Sequence, residues 1–293
     1  MHRSRLSIAL GISATILVSQ IIGAIWTGSL ALLVDTAHVL TDTGGLAIAL
    51  LAARLAQRPA TSRRTWGLRR TEVLAATAQA SVLLAVGLYV LVEGVHRLLH
   101  PPEVPSAEMI VFGAVGLVGN VAAVVVLAGS RRATFTTRAA FLEVVNDTLG
   151  SLAVILAAVV MALTGWARAD AVVALLIGLL ILPRTVSLLR ETVNVLLEST
   201  PRGLDLDAVR GHILELPHVR AVHDLHASQI ATGLPVLTAH VVLDDDCFRD
   251  GHALDLLDQL QTCVAEHFDV SVEHSTFQLE PSTHRDHEYP PHD

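Results

Sequence analysis

The chain has 293 residues, 52% of them hydrophobic, a mean hydropathy of +0.55 and a formal net charge of −8. That is too apolar for an ordinary soluble domain and points to a membrane protein. Residues 1–199 carry a net +4 and residues 200–293 a net −12, with eleven of the 15 histidines in the second part; without a basic patch for phosphates, a nucleic-acid partner is excluded and cations are favoured.

The first apolar run, Leu6 to Ile25, follows a short basic start. It has the flanks of a signal peptide, but it is long and more spans follow, so it reads as a retained helix. Trp26 to Ser29 reads as a tight turn with an interfacial aromatic. Further spans are expected at Leu30–Leu55, Glu72–Leu98, Ala107–Ala128, Ala139–Leu163 and Ala171 to about Leu189, the last extending towards Glu198. Each is near the ~20 residues that a ~30 Å hydrocarbon core demands. Arginines concentrate in the N-terminus and in the loops after the second and fourth spans. The positive-inside rule therefore puts both termini in the cytoplasm, in a bacterial-type plasma membrane.

After Pro201 the pattern becomes that of a small α+β domain. A helix is expected at Leu204–Leu216, strands at Val219–Ile230 and Pro235–Leu243 joined at Thr232-Gly233, a helix at Leu254–Phe268 and a strand at Val270–Leu279. The division is thus a transmembrane domain over 1–199, a C-terminal domain over 200–281 and a disordered His-rich tail over 282–293. The only cysteines, Cys247 and Cys263, form no CxxC pair and read as free thiols.

The second span holds LVDTAHVLTDTGG, with Asp35, His38 and Asp42 in an apolar setting. His38 and Asp42 are one helical turn apart and share a face. A charge at the bilayer centre costs roughly 2.5–3.5 kcal/mol even on the lenient insertion scale, so such groups mark function. The fifth span repeats the spacing with Glu143 and Asp147 in AFLEVVNDTLGS. If the two helices face each other, one imidazole and three carboxylates converge on a divalent cation, zinc leading. Asp35 reads as structural, and Gln20 and Asn120 as interhelical hydrogen-bonding residues.

These motifs resemble the cation diffusion facilitators. GSLALLVDTAHVLTDTGGLAIAL resembles the family's second helix, TWGLRRTEVLAA its next loop and third helix, and VHDLH, TAHVVL and HSTFQLE its C-terminal domain. The resemblance implies a homodimeric metal/proton antiporter that exports zinc, not an enzyme. Its fold would be a six-helix membrane bundle followed by a cytoplasmic ferredoxin-like domain. It carries over His38, Asp42 and Asp147 directly. Zinc-transporting members usually have His at position 143, so Glu143 is carried by position only, and a second carboxylate shifts the site towards Mn, Fe or Co. The resemblance further implies a regulatory metal at His223, His240 and Glu280, of which Glu280 shares strand parity with His274. His226 and His252 are weaker candidates. An intramembrane metal-dependent hydrolase would need a general base as in HExxH, which does not occur. A non-transporting partner subunit would be expected to lose the intramembrane ligands.

Overall fold

The computed structural model describes residues 2–56, 58–128 and 135–284, and within these the side chains of 11–41, 43, 44, 55, 58–126 and 144–284. Six long helices come first: α1 (His2–Thr27), α2 (Leu30–Ala56), α3 (Thr71–Leu99), α4 (Ser106–Ala128), α5 (Phe135–Thr164) and α6 (Arg168–Leu196). Among the described residues four stretches are long and apolar enough to cross a membrane: Thr71–Leu99, Ser106–Val126, Val144–Thr164 and Arg168–Leu196. Gly11–Thr27 and Leu30–Thr41 add shorter apolar helices. Outward-facing Ile22, Val92, Val118, Leu156 and Leu180 are half or more exposed, as helices bathed in lipid require.

The chain divides into two compact units, residues 1–51 with 75–190 and residues 52–74 with 191–293. In the first, a core built from all six helices includes Ala24, Leu30, Leu32, Val90, Met109, Val154, Ala158 and Ala174. The α1–α2 turn forms because Gly28 adopts φ +62°, a conformation costly for residues with a Cβ. Arg97 in α3 donates to the Gly28 carbonyl at 2.7 Å.

The second unit contains α7 (Leu206–Leu214), β1 (Val219–Ala231), β2 (Leu234–Leu243), a short α8 (Cys247–Asp250), α9 (His252–Glu266) and β3 (His274–Pro281). Asp205 caps α7 by accepting from the backbone N–H groups of Asp207 and Ala208. The sheet runs β1-β2-β3, antiparallel then parallel, and Gly233 at φ +72° supports the hairpin turn. Val209, Ile213, Leu237, Ala239, Val241, Leu256, Leu260 and Val264 form the core between helices and sheet. Odd-numbered β2 residues thus face the helices, leaving His240 on the opposite sheet face.

β3 begins later than the sequence suggests. Val270 to Glu273 has strand-like composition, but the Val272 N–H bonds back to the Val264 carbonyl at 3.0 Å and its side chain is buried. The segment therefore closes the end of α9 instead of pairing with β2. In the same unit the α2–α3 segment adds Trp66, edge-on to His274 at 4.8 Å, and Arg70, paired with Glu198 at 2.7 Å.

Candidate metal centre

Helix α2 is held at its start with no unmet donor. The first four N–H groups of a helix lack intrahelical acceptors. Here Ser29 N–H bonds Thr27 Oγ1 at 3.2 Å, Leu30 N–H bonds Asp170 Oδ2 at 2.8 Å, Ala31 N–H bonds Asp170 Oδ1 at 3.1 Å and Leu32 N–H bonds Ser29 Oγ at 3.1 Å. The Ser29 hydroxyl also donates to Asp170 at 2.5 Å. Asp170, 1% exposed, places its negative charge at the positive end of the α2 dipole, with Arg97 3.9 Å away.

One turn before His38, a second network holds α2. Gln20 of α1 donates to Asp35 at 2.6 Å, Ser151 of α5 donates to the same oxygen at 3.3 Å, and Asn120 of α4 donates to Ser151 at 3.3 Å. All four residues are buried. Asp35 thus has a structural role, as an interhelical hub that Gln20 and Ser151 serve directly and Asn120 serves through Ser151. Gly150 makes room for the carboxylate: a Cβ there would lie 2.5 Å from Asp35 Oδ1.

With both ends of this stretch fixed, α2 presents His38 to α5. His38 Nε2 lies 3.8 Å from Asp147 Oδ1, with the two residues 8% and 5% exposed. Asp42 and Glu143 belong to α2 and α5, but their side chains lie outside the described residues. Below the pair, Gln79 of α3 donates to the Thr41 carbonyl.

The C-terminal domain gathers a second set. His223 and His240 are register partners on β1 and β2, their rings 5.0 Å apart. Glu280, 1% exposed, accepts from or pairs with His223 Nε2 at 2.5 Å and lies 4.0 Å from His240 Nδ1. Asp224 joins them, its carboxylate 3.7 Å from His223 Nδ1, and His223, Asp224 and His240 can present ligand atoms to one ion. The sequence pattern did not single out Asp224. It reaches the cluster because a register shift after His223 puts it at φ +46°, a left-handed conformation that Asp tolerates better than most residues. His226 is exposed, His252 is exposed and paired with Asp250 at 2.8 Å, and His274 packs on Trp66; none joins the cluster. His284 is exposed, and His287 and His292 lie outside the described residues. Both cysteines are free and buried, and burial pushes both thiols above their ordinary pKa.

Residues 6–197 match the family model of the cation efflux transmembrane domain, and residues 201–282 that of the cation efflux protein cytoplasmic domain. The chain belongs to the cation diffusion facilitator family. The metal cation efflux system protein CzcD of Cupriavidus metallidurans is 42% identical over 275 residues, covering 94% of this chain and 85% of its own. The zinc transporter ZitB of Escherichia coli is 36% identical over 278 residues, covering 94% and 87%. A Bacillus subtilis cadmium, cobalt and zinc/H(+)-K(+) antiporter is 32% identical over 270 residues, covering 92% and 86%. The facilitator is thus an integral membrane transporter of divalent metal cations rather than an enzyme. Its fold is a helical membrane bundle followed by a ferredoxin-like cytoplasmic domain.

Proposed function

We propose that this facilitator exports a divalent cation, Zn²⁺ first, from the cytoplasm in exchange for protons, with His38, Asp42, Glu143 and Asp147 as its ligands. The observation that carries the reading is the buried approach of His38 to Asp147 from two different helices. The contacts of α2 with α5 run Asp35 to Ser151 and then His38 to Asp147. That antiparallel register, extended by one turn, supports positions 42 and 143 as the remaining ligands. Zinc is favoured by the imidazole and by the name of the ZitB relative. The name of the antiporter relative supports a wider range that includes cobalt and cadmium.

Metal requires deprotonated ligands, so metal and protons compete for the same atoms. A site holding three carboxylates is costly in the bilayer when empty and ionised. Either occupant lowers that cost. Return of the emptied site is therefore favoured when protons replace the metal, which couples the two fluxes. His223, His240 and Glu280, with Asp224, make a regulatory site that draws together the acidic cytoplasmic domains of a homodimer, both termini lying in the cytoplasm. Spin labels on the two domains should approach on zinc addition; an unchanged distance distribution contradicts this switch.

The test is initial-rate uptake into inverted membrane vesicles with an imposed pH gradient and a panel of Zn²⁺, Cd²⁺, Co²⁺, Mn²⁺ and Fe²⁺. Zinc uptake that collapses with the gradient is expected; uptake indifferent to the gradient removes the exchange. Glu143→His should keep zinc transport and narrow the range, because it replaces a carboxylate that also suits harder ions. An unchanged selectivity order, or loss of zinc transport, would mean that Glu143 does not stand in for a His ligand.

A further inference from the structure

Away from both sites, α7 and α9 bring together a third set of donors. His212 stands in the last turn of α7, and Cys263 and His267 are one helical turn apart on α9. His212 Nε2 and His267 Nδ1 are 2.9 Å apart, and the Cys263 sulfur completes a group whose ligand atoms all lie within 4.8 Å of one another. Phe268 packs edge-on against the His212 ring at 5.7 Å and restricts it. His267 is fixed as the α9 C-cap, its backbone N–H bonding the Cys263 carbonyl at 3.1 Å. Burial is graded across the group: Cys263 is 2% exposed, His212 is half-buried and His267 is exposed.

We propose that His212, Cys263 and His267 form a binding site for one soft divalent cation of the Zn²⁺, Cd²⁺ and Co²⁺ class within each protomer. One thiolate and two imidazoles are the donor set that zinc and its soft neighbours take in preference to Mg²⁺ or Ca²⁺. Zn–S of ~2.3 Å and Zn–N of ~2.0–2.1 Å at tetrahedral angles separate donors by roughly 3.3–3.7 Å. The two imidazoles therefore need to part by only about half an ångström. Cys263 would close the inner side of the site, leaving a fourth position for water on the side of His267. The site is distinct from the His223, Asp224 and His240 cluster, because the helices pack on the other face of the sheet. It needs no second copy of the chain. A cation there would clip the end of α9 to α7.

An ordinary explanation exists: the histidines form a hydrogen-bonded clip between helices, and Cys263 is a core residue. Cobalt separates the two. The full-length protein, purified in detergent under a non-chelating reductant, is titrated with Co²⁺ alone and followed by absorption. A thiolate-to-cobalt charge-transfer band is expected, with the amplitude of one cobalt thiolate per chain at saturation, displaced by Zn²⁺ or Cd²⁺ but not by Mg²⁺. The intramembrane and sheet-face candidate ligands include no thiol and add nothing to that band. Cys263→Ser should abolish it, while Cys247→Ser and His240→Ala should leave it. His212→Gln and His267→Gln change side chains outside the domain core, and each should weaken cobalt binding at least tenfold. Absence of the band at saturating cobalt overturns the site. So does a band that survives Cys263→Ser, or an affinity unmoved by both histidine variants.

Discussion

The two halves of the molecule bury carboxylates in different company. In the membrane bundle, Asp35 accepts from an amide and a hydroxyl, and Asp170 from a hydroxyl and two backbone N–H groups with a guanidinium nearby. In the cytoplasmic domain Glu280 is as buried as Asp170, but beside the Gln278 amide at 3.4 Å it has two imidazoles within 4.0 Å. Amides, hydroxyls and guanidinium keep their protons throughout the physiological range, whereas imidazole exchanges its proton near neutrality. The first kind of surrounding is a fixed scaffold. The second is the kind of surrounding that the proposed metal sites require. His38 and Asp147 are of the second kind, set inside a framework of the first.

The sharpest way to break that division is to remove one carboxylate of each kind. Asp147→Ala should reduce the initial rate of zinc uptake into inverted vesicles by more than about 100-fold, beyond the 10–100-fold typical of a residue that only supports a metal ligand. The folded fraction and melting temperature in detergent should stay close to wild type. Wild-type transport by Asp147→Ala would remove it from the transport site.

Asp170→Ala should do the reverse. It strips both acceptor oxygens from the start of α2 and leaves the Leu30 and Ala31 N–H groups unmet, each a loss of about 1–3 kcal/mol, while Arg97 keeps Glu93 at 2.8 Å. Thermal unfolding in detergent should show a large fall in midpoint. Transport per folded molecule should fall less than in Asp147→Ala. An unchanged midpoint would mean that the Asp170 contacts do not hold α2.

How much of this was legible beforehand follows from where each partner lies in the chain. That His38 and Asp42 lie one turn apart in α2 is a property of one helix, so spacing alone gives it. The extents of α1 to α6 follow from apolar run length, and each begins or ends within a few residues of the expected position. The Asp170 cap is different. Ser29 before an apolar run signals a helix start, but the acceptors for Leu30 and Ala31 come from 140 and 139 residues away. No local pattern specifies that pairing. Asp224 was hidden for a related reason: strand parity places it opposite His223, and only the irregular register at this point turns it back. The late start of β3 shows packing overriding propensity, since buried Val272 serves the end of α9.

A smaller change probes the scaffold without removing a polar group. A methyl at position 150 would lie 2.5 Å from Asp35 Oδ1. Gly150→Ala should therefore destabilise by about 1–3 kcal/mol, the usual cost of overpacking a close-packed interior. Gly11→Ala in α1 is the control, since nothing lies within 4 Å of its added methyl; it should be neutral or stabilise by up to ~1 kcal/mol through helix propensity. Equal melting midpoints for the two variants would show that the Asp35 hub tolerates displacement.

The smallest effect is expected where a carboxylate of the cytoplasmic domain stays near water. Asp244 pairs with Arg220 and, at 3.1 Å, with His218 Nδ1. The Arg220 hydrogen bond first, and then that of His218, hold its carboxyl below the ordinary range. A depressed folded-state pKa stabilises the fold at pH values above the unfolded carboxyl's pKa, and that stability is lost as pH falls through the folded value. The wild type should thus melt slightly above Asp244→Asn at neutral pH. The gap should close only in the acid range below about pH 4, where the unfolded carboxyl takes up its proton. Because the pair faces solvent, raised salt should shrink the gap at neutral pH as well. A gap that instead widened towards low pH would reverse the sign of the linkage and show that Asp244 is not stabilised as a carboxylate in the folded domain.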